Sequence, residues 1–439
     1  MKNLFPKWLV FLFLIALPLT AAHAVLEIQI TKGVSSAVPV AIVPFAWQVQ
    51  GPMPNTDVAA VISADLTRSG RFKAIAVKSM LEKPSEASAI NFTNWRILAV
   101  NDLVIGRIKP AGNANYQVEF QLFNVYTGQQ LLGLSVLSTP QGLRWTAHKI
   151  SDLIYQKLTG QRGAFATRIA YVEVSGKAGK DSHYALVVAD SDGANPQTIF
   201  DSNEPIMSPA WSPDGKYLTY VSFENQRPAI YWQNIYTGRR ELLSERPGLN
   251  SAPAFSPDGR SIALVLSSSP GNPDIYVMNL STHALRRITH SDAIDTEPVW
   301  SPDGHSLYFT SDRGGSPQIY KLSLNGGKPQ RITFDGSYNA QARISPDGQI
   351  LAMVHRESGQ LHIAVMNLST GALLTLTNGD LDKSPSFAPN GSMIIYEATY
   401  HNQGVLEEVS VDGQVHERLS ESQAGVSLHA PVWGPFLSQ

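Results

Sequence analysis

Trp211-Ser-Pro-Asp-Gly215, Phe255-Ser-Pro-Asp-Gly259, Trp300-Ser-Pro-Asp-Gly304 and Ile344-Ser-Pro-Asp-Gly348 are four copies of one phrase, and Phe387-Ala-Pro-Asn-Gly391 is a blurred fifth. Trp433-Gly-Pro435 is a last echo. The lead residues recur every 43 to 46 positions. A fixed period of that size marks a repeat architecture, in which neighbouring copies bury a shared core. The phrase itself is a tight turn. Proline sets φ at its second position, aspartate bonds local backbone, and glycine takes the left-handed position.

Each turn sits between strand-like runs. Glu297-Pro-Val-Trp300 precedes one copy; Ser306–Thr310, Gln318–Leu322 and Pro329–Thr333 follow it. β-Branched and aromatic runs bounded by Gly, Pro, Asn and Asp read as strands. Four strands in roughly 40–45 residues is the pattern of a propeller blade. The stretch around Arg168–Val174 has a second, third and fourth strand but no turn phrase ahead of it, whereas Ala430–Gly434 is a first strand with nothing after it. Joined, the two fragments complete one blade and bring the count to six. Closure of this kind removes the unpaired edges of an open sheet.

The chain has 439 residues, 34 basic and 36 acidic, and no cysteine. Disulfides, thiolate nucleophiles and Cys-type zinc sites are thereby excluded. Near-neutral charge gives no electrostatic footprint for nucleic acid. Lys2 and Lys7 flank an apolar run, Trp8–Leu19, that leads to Ala22-His23-Ala24. That order of basic, apolar and small-x-small segments predicts a secretory signal peptide over 1–24, too short to span a membrane. The expected mature chain starts at Val25 and is an exported monomer.

Residues 25–163 predict a small α/β domain, and 164–439 the propeller. Val25–Lys32 alternates apolar and polar residues as a strand does. It pairs either with its own domain or with the sheet of a partner. Strands are expected over Pro39–Ala46, Phe72–Val77 and Asp102–Ile108, with Gly106 as a point of close approach. Tyr116–Tyr126 and Gln130–Leu137 form a hairpin across Thr127-Gly128. Helices are expected over Val58–Ser69, capped within Asn55-Thr56-Asp57; over Asn94–Val100, capped by Thr93; and over Leu143–Leu158, stopped by Gly160.

Chemistry leaves little trace. There is no G-x-S-x-G elbow, P-loop or H-E-x-x-H. Asp190-Ser-Asp192-Gly193 resembles the start of a calcium loop but lacks the distal glutamate, so a turn is expected. The aspartates of the turn phrase recur once per blade and read as structural. No catalytic residue, cofactor or metal ligand is assigned. The residues leading into the first strands should crowd one channel mouth: Met207, Ser208, Leu249, Asn250, Ala252, Asp295, Thr296, Glu297, Asn339, Lys383 and His429. Loops between second and third strands share that face and vary from blade to blade. Variation on one face of a rigid scaffold suggests recognition.

Across its length the sequence resembles the TolB family, periplasmic propeller proteins of the Tol–Pal system. The phrases that carry the resemblance include Val43-Pro44-Phe45, Lys157-Leu-Thr-Gly160, Ala166-Thr-Arg-Ile-Ala-Tyr171, Met207-Ser-Pro-Ala-Trp211 and Gly326-Gly-Lys-Pro-Gln-Arg-Ile-Thr333. The resemblance implies an α/β N-terminal domain followed by an all-β six-bladed β-propeller closed by the C-terminal strand. It implies a non-catalytic adaptor in the periplasm that supports outer-membrane integrity and invagination at division. The outer-membrane lipoprotein Pal would bind the mouth. The C-terminal domain of TolA would bind Val25, Leu26, Glu27, Ile28, Gln29, Ile30, Thr31 and Lys32. Outer-membrane proteins and toxins are further candidate partners. The residues alone leave two other readings open, a propeller-gated hydrolase and a glycan- or peptide-binding propeller.

Overall fold

The structure is a computed structural model that describes residues 30–32 and 37–437, apart from 177–180, 268–270 and 420–424. The expected signal peptide and Val25–Gln29 lie outside the described residues.

The α/β domain is a mixed sheet carrying helices. Its strands are β2 (Val38–Ile42), β3 (Ala46–Trp47), β4 (Phe72–Ala74), β5 (Asp102–Ala111), β6 (Asn115–Asn124) and β7 (Gln130–Ser138), in the order β4-β2-β5-β6-β7 with β3 beside β5. The expected strand over Pro39–Ala46 is broken at Val43-Pro44-Phe45, because proline cannot donate to the ladder. Phe45 instead covers Gly106, where an added Cβ would lie 2.4 Å from the ring. Helix α1 (Val58–Arg68) starts at Asp57, whose Oδ1 accepts from Ala60 N at 3.1 Å. Helix α2 (Phe92–Ile97) starts two residues earlier than the sequence suggested, because Asn91 rather than Thr93 is its cap. Helix α3 (Leu143–Thr159) ends at Gly160 with φ +79°. Both α1 and α3 pack on one sheet face through Ile62, Leu66, Leu143, Ile150 and Ile154. Trp95 of α2 closes the other face.

Six four-stranded antiparallel blades follow, one of them extended by a fifth strand. Blade 1 is the composite expected from the sequence: Val426–Trp433 pairs antiparallel with Arg168–Ser175 and closes the ring. In the turn phrases, each serine hydroxyl donates to the aspartate two residues on, at 2.5–2.6 Å. The aspartate also accepts the backbone N–H two residues later. The serine bonds hold Asp258, Asp303 and Asp347 below the usual carboxylate range. The glycine of each phrase faces the proline of the phrase before it: a Cβ on Gly259, Gly304 or Gly348 would lie 3.8–3.9 Å from Pro213, Pro257 or Pro302. These turns are therefore punctuation stacked around one face of the ring.

The blurred copy has its own reason. Asn390 stands where the other phrases carry aspartate, and its side-chain amide donates to Arg162 O at 3.0 Å while its backbone carbonyl accepts from Gln161 Nε2 at 2.6 Å. An aspartate could not make the first bond. The departure marks where the linker from the α/β domain lies on the propeller.

Strand β1 (Ile30–Lys32) does not join the sheet of its own α/β domain. It adds antiparallel to His416–Arg418, the outer strand of blade 6, with Ile30 opposite Glu417.

Candidate functional site

The first strands are longer than their sequences suggested. They run Ile206–Trp211, Asn250–Phe255, Asp295–Trp300, Asn339–Ile344, Lys383–Phe387 and Val426–Trp433. Apart from Leu249, which precedes Asn250, the residues expected ahead of them lie inside them. Each strand is bulged, with a register shift against its neighbour. The bulge is driven by a left-handed residue: Ser208, Ala252, Glu297, Gln341, Ser384 and Ala430 all have φ between +45° and +55°. In five of the six blades a proline follows it, and Ala342 is the exception. A left-handed residue within a strand re-aims the backbone, and here it bends each strand into the channel. These six residues line a central cavity of 820 Å³.

The expected mouth residues divide into two groups. Asn250, Asp295 and Asn339 are fully buried and shape the rim from beneath. Asn250 accepts from Ser244 Oγ at 2.7 Å and donates to Arg246 O at 2.7 Å. Asn339 donates to Gln318 Oε1 and Asp335 O, at 2.9 and 2.8 Å. Asp295 takes a charged bond from Arg313 at 2.8 Å to each oxygen. Leu249 packs beneath, in the core between blades 3 and 4. Met207, Ser208, Ala252, Glu297, Lys383 and His429 line the cavity, and Thr296, beside Glu297 in the same strand, is half-buried. Glu397 joins two of them, accepting from Lys383 Nζ at 3.1 Å and lying 2.7 Å from His429 Nδ1. Burial opposes its ionisation, but His429, Ala430 N–H and Lys383 outweigh that, and its carboxyl stays below the ordinary value.

Three apolar side chains on this face were missed, and a fourth, Tyr400, was placed there only as the start of a variable loop. Ile294, Phe334 and Leu381 lie in the connections leading into first strands, and Tyr400 ends a second strand. With Met207 they are 38–72% exposed. The signal was available: a lone large apolar residue in a polar connection just before a first strand. Two of the expected variable loops are tighter than thought. Ile350–Glu357 turns into Gln360–Asn367, and Met393–Tyr400 into Gln403–Ser410, each through only two residues. The loop expected over Ser267–Asn272 lies partly outside the described residues.

The turn-phrase side of the ring carries the α/β domain. Asp190–Gly193 is a turn, as expected, with Gly193 at φ +79°. Its Asp192 enters a buried charged knot that the sequence did not reveal. Asp65, His148 and Asp192 have the mutual spacing of metal ligands. Arg144 binds Asp192, Arg68 stands 3.7 Å from Asp65, and His148 Nδ1 lies 2.8 Å from Asp65 Oδ2. Burial pushes the imidazole down, but Asp65, Asp192 and Asp190 outweigh it and raise its pKa. The guanidiniums of Arg68 and Arg144 already bring positive charge to these carboxylates, so the trio reads as an ion-pair knot rather than a seat for a divalent cation.

Fold and site together define a class: a two-domain propeller protein whose open channel mouth, on a face with several exposed apolar side chains, points away from its α/β domain. Residues 26–131 match the TolB amino-terminal domain and residues 155–437 the TolB beta propeller domain. The chain belongs to the TolB family. The Tol-Pal system protein TolB of Xanthomonas oryzae pv. oryzae is 49% identical over 434 residues, covering 98% of each chain. That of Xanthomonas campestris pv. campestris is likewise 49% identical over 98% of each. The crystal structure of TolB from Acinetobacter baumannii superimposes with a TM-score of 0.86 at 40% identity, over 93% of this chain and all of that one. Among the described residues no helix is long and apolar enough to cross a membrane.

Proposed function

We propose that this chain is a non-catalytic adaptor of the Tol–Pal system, exported to the periplasm and processed after Ala24. Its channel mouth binds the lipoprotein Pal, and its mature N-terminal segment, residues 25–32, binds the C-terminal domain of TolA. Through these contacts it supports outer-membrane integrity and invagination during division. The observation that carries the reading is the set of exposed apolar side chains, Met207, Ile294, Phe334, Leu381 and Tyr400, at the mouth-side ends of the blades. Exposed apolar groups gathered on one face, with polar residues between them, are what a protein interface desolvates. The second contact is supported by β1. Among the described residues it is tied to the blade edge over three positions, and a short edge strand is readily exchanged for pairing with another sheet.

The test is binding to the organism's own Pal, comparing the wild type with Thr296→Arg. An added charge at a desolvated rim should weaken binding at least about tenfold. Equal affinities would remove the mouth as the docking site.

A further inference from the structure

The channel wall repeats six times, and in one place it breaks its own rule. Two residues beyond each left-handed position stand Ala210, Ala254, Val299, Arg343, Ser386 and Val432. All six line the central cavity. Five are small or apolar, and the sixth is an arginine. It follows Ala342, the one position in this ring where proline is missing.

Arg343 has little to hold it. Its Nη1 donates to the carbonyl of Ala342 at 2.8 Å. Among the described residues no carboxylate closes an ion pair on it. Glu297 is the nearest candidate in the wall, but its Oε2 accepts from Thr310 Oγ1 at 2.8 Å and from Gln341 N at 2.9 Å. Glu397 is occupied by Lys383 and His429. Burial depresses the Arg343 guanidinium, and the more distant charge of Glu297 offsets that only in part. The side chain nevertheless keeps part of its surface open to the cavity. A guanidinium presents five donors in a planar fork suited to a carboxylate. A desolvated cation without a paired carboxylate is costly, and an anion entering from the mouth would relieve it.

We infer that the channel is an anion site in which Arg343 grips one carboxylate-class group, either a free small carboxylate or an acidic group offered by the docked partner. The second source rests on the reading of the mouth given above.

Sodium ¹³C-formate is the probe, with its NMR line broadening measured on the mature protein. The wild type should broaden the line saturably. Arg343→Met should lose that response, an affinity drop of about tenfold or more, and Arg343→Lys should keep part of it. Val299 and Val432 occupy the same place in other blades, so Arg343→Val is a second variant that the ring should accommodate. A wild type without saturable broadening, or an Arg343→Met protein that broadens formate equally, overturns the site. Added Pal separates the sources. Displacement of formate by Pal, with about tenfold weaker Pal binding by Arg343→Met, assigns the carboxylate to the partner. Formate that stays bound, with unchanged Pal affinity, assigns the site to a free anion. Pal that fails to bind the wild type sinks the docking reading and leaves the formate result standing.

Discussion

Arg68, at the end of helix α1, reaches across the domain boundary and places Nη1 3.2 Å from both carboxylate oxygens of Glu408 in blade 6. The same nitrogen donates to Ser191 O at 3.1 Å, and Nη2 to Ser191 Oγ at 3.2 Å. One side chain thus ties the α/β domain to both blade 6 and blade 1. Removing it leaves Glu408, Asp65 and Glu417 without their shared cation. Arg68→Met should cost about 3–5 kcal/mol, because an uncompensated buried charge is left behind. The added change Glu408→Leu should recover part of the loss. Chemical denaturation of both variants, followed by tryptophan fluorescence, measures this.

Glu417 makes the same junction sensitive to pH. Burial lifts its carboxyl to about 8, with Arg68 pulling down and Glu408 pushing up. Neither of its oxygens has a hydrogen-bond partner among the described residues. Burial likewise lifts Glu408 to about 7, outweighing the attraction of Arg68. A carboxyl whose folded pKa is raised binds its proton more tightly folded than unfolded. Its stabilising contribution is therefore full below about pH 4 and is lost as pH rises through 7 to 8. Glu417→Gln should raise the melting temperature at pH 8, corresponding to about 1–3 kcal/mol, and change it little at pH 5. Equal effects at both pH values would remove the assignment.

Gly106 tests the close approach inside the α/β domain. A methyl there would meet Phe45 Cε2 at 2.4 Å. Neither the sheet nor the covering ring can retreat without opening the core, so Gly106→Ala should destabilise by about 1–3 kcal/mol. Pairing it with Phe45→Leu should relieve part of that. Urea midpoints of the single and double variants give the coupling.

At the mouth, Phe334 is the most exposed of the apolar set at 72%, with Arg331 stacked 5.2 Å from its centroid. Aromatic residues flanked by arginine are frequent interface anchors. Phe334→Ala should weaken Pal binding by about 1–3 kcal/mol, seen mainly as faster dissociation. Thermal stability should be unchanged.

The repeat was legible because each blade carries its own local signal: a turn whose chemistry lies within five residues, followed by alternating strands. Ring closure was legible as two incomplete repeats. Gly106 and the caps of α1 and α3 were legible for the same local reason, whereas α2 shifted because Asn91 and Thr93 compete within three residues of each other. The bulges escaped notice because Ser208, Ala252 and Glu297 carry no mark of positive φ; the geometry is imposed by the ring. The knot of Asp65, Arg68, His148, Asp192, Glu408 and Glu417 was invisible, since its members are separated by as many as 352 positions (417 − 65). Asn250, Asp295 and Asn339 were placed at the mouth, but polarity alone could not show that they turn inward to satisfy the rim.

The pairing of Val426–Trp433 with Arg168–Ser175 joins partners more than 250 positions apart. A chain made from its amino end has the α/β domain, five whole blades and three strands of blade 1 before the closing strand exists. Until then blade 1 presents the bare edge of Arg168–Ser175 and blade 6 lacks its neighbour on one face, the state in which nascent chains can cross-pair. Completion of the circle is thus a single late event, and a break in translation anywhere before Val426 yields an arc that cannot form a channel.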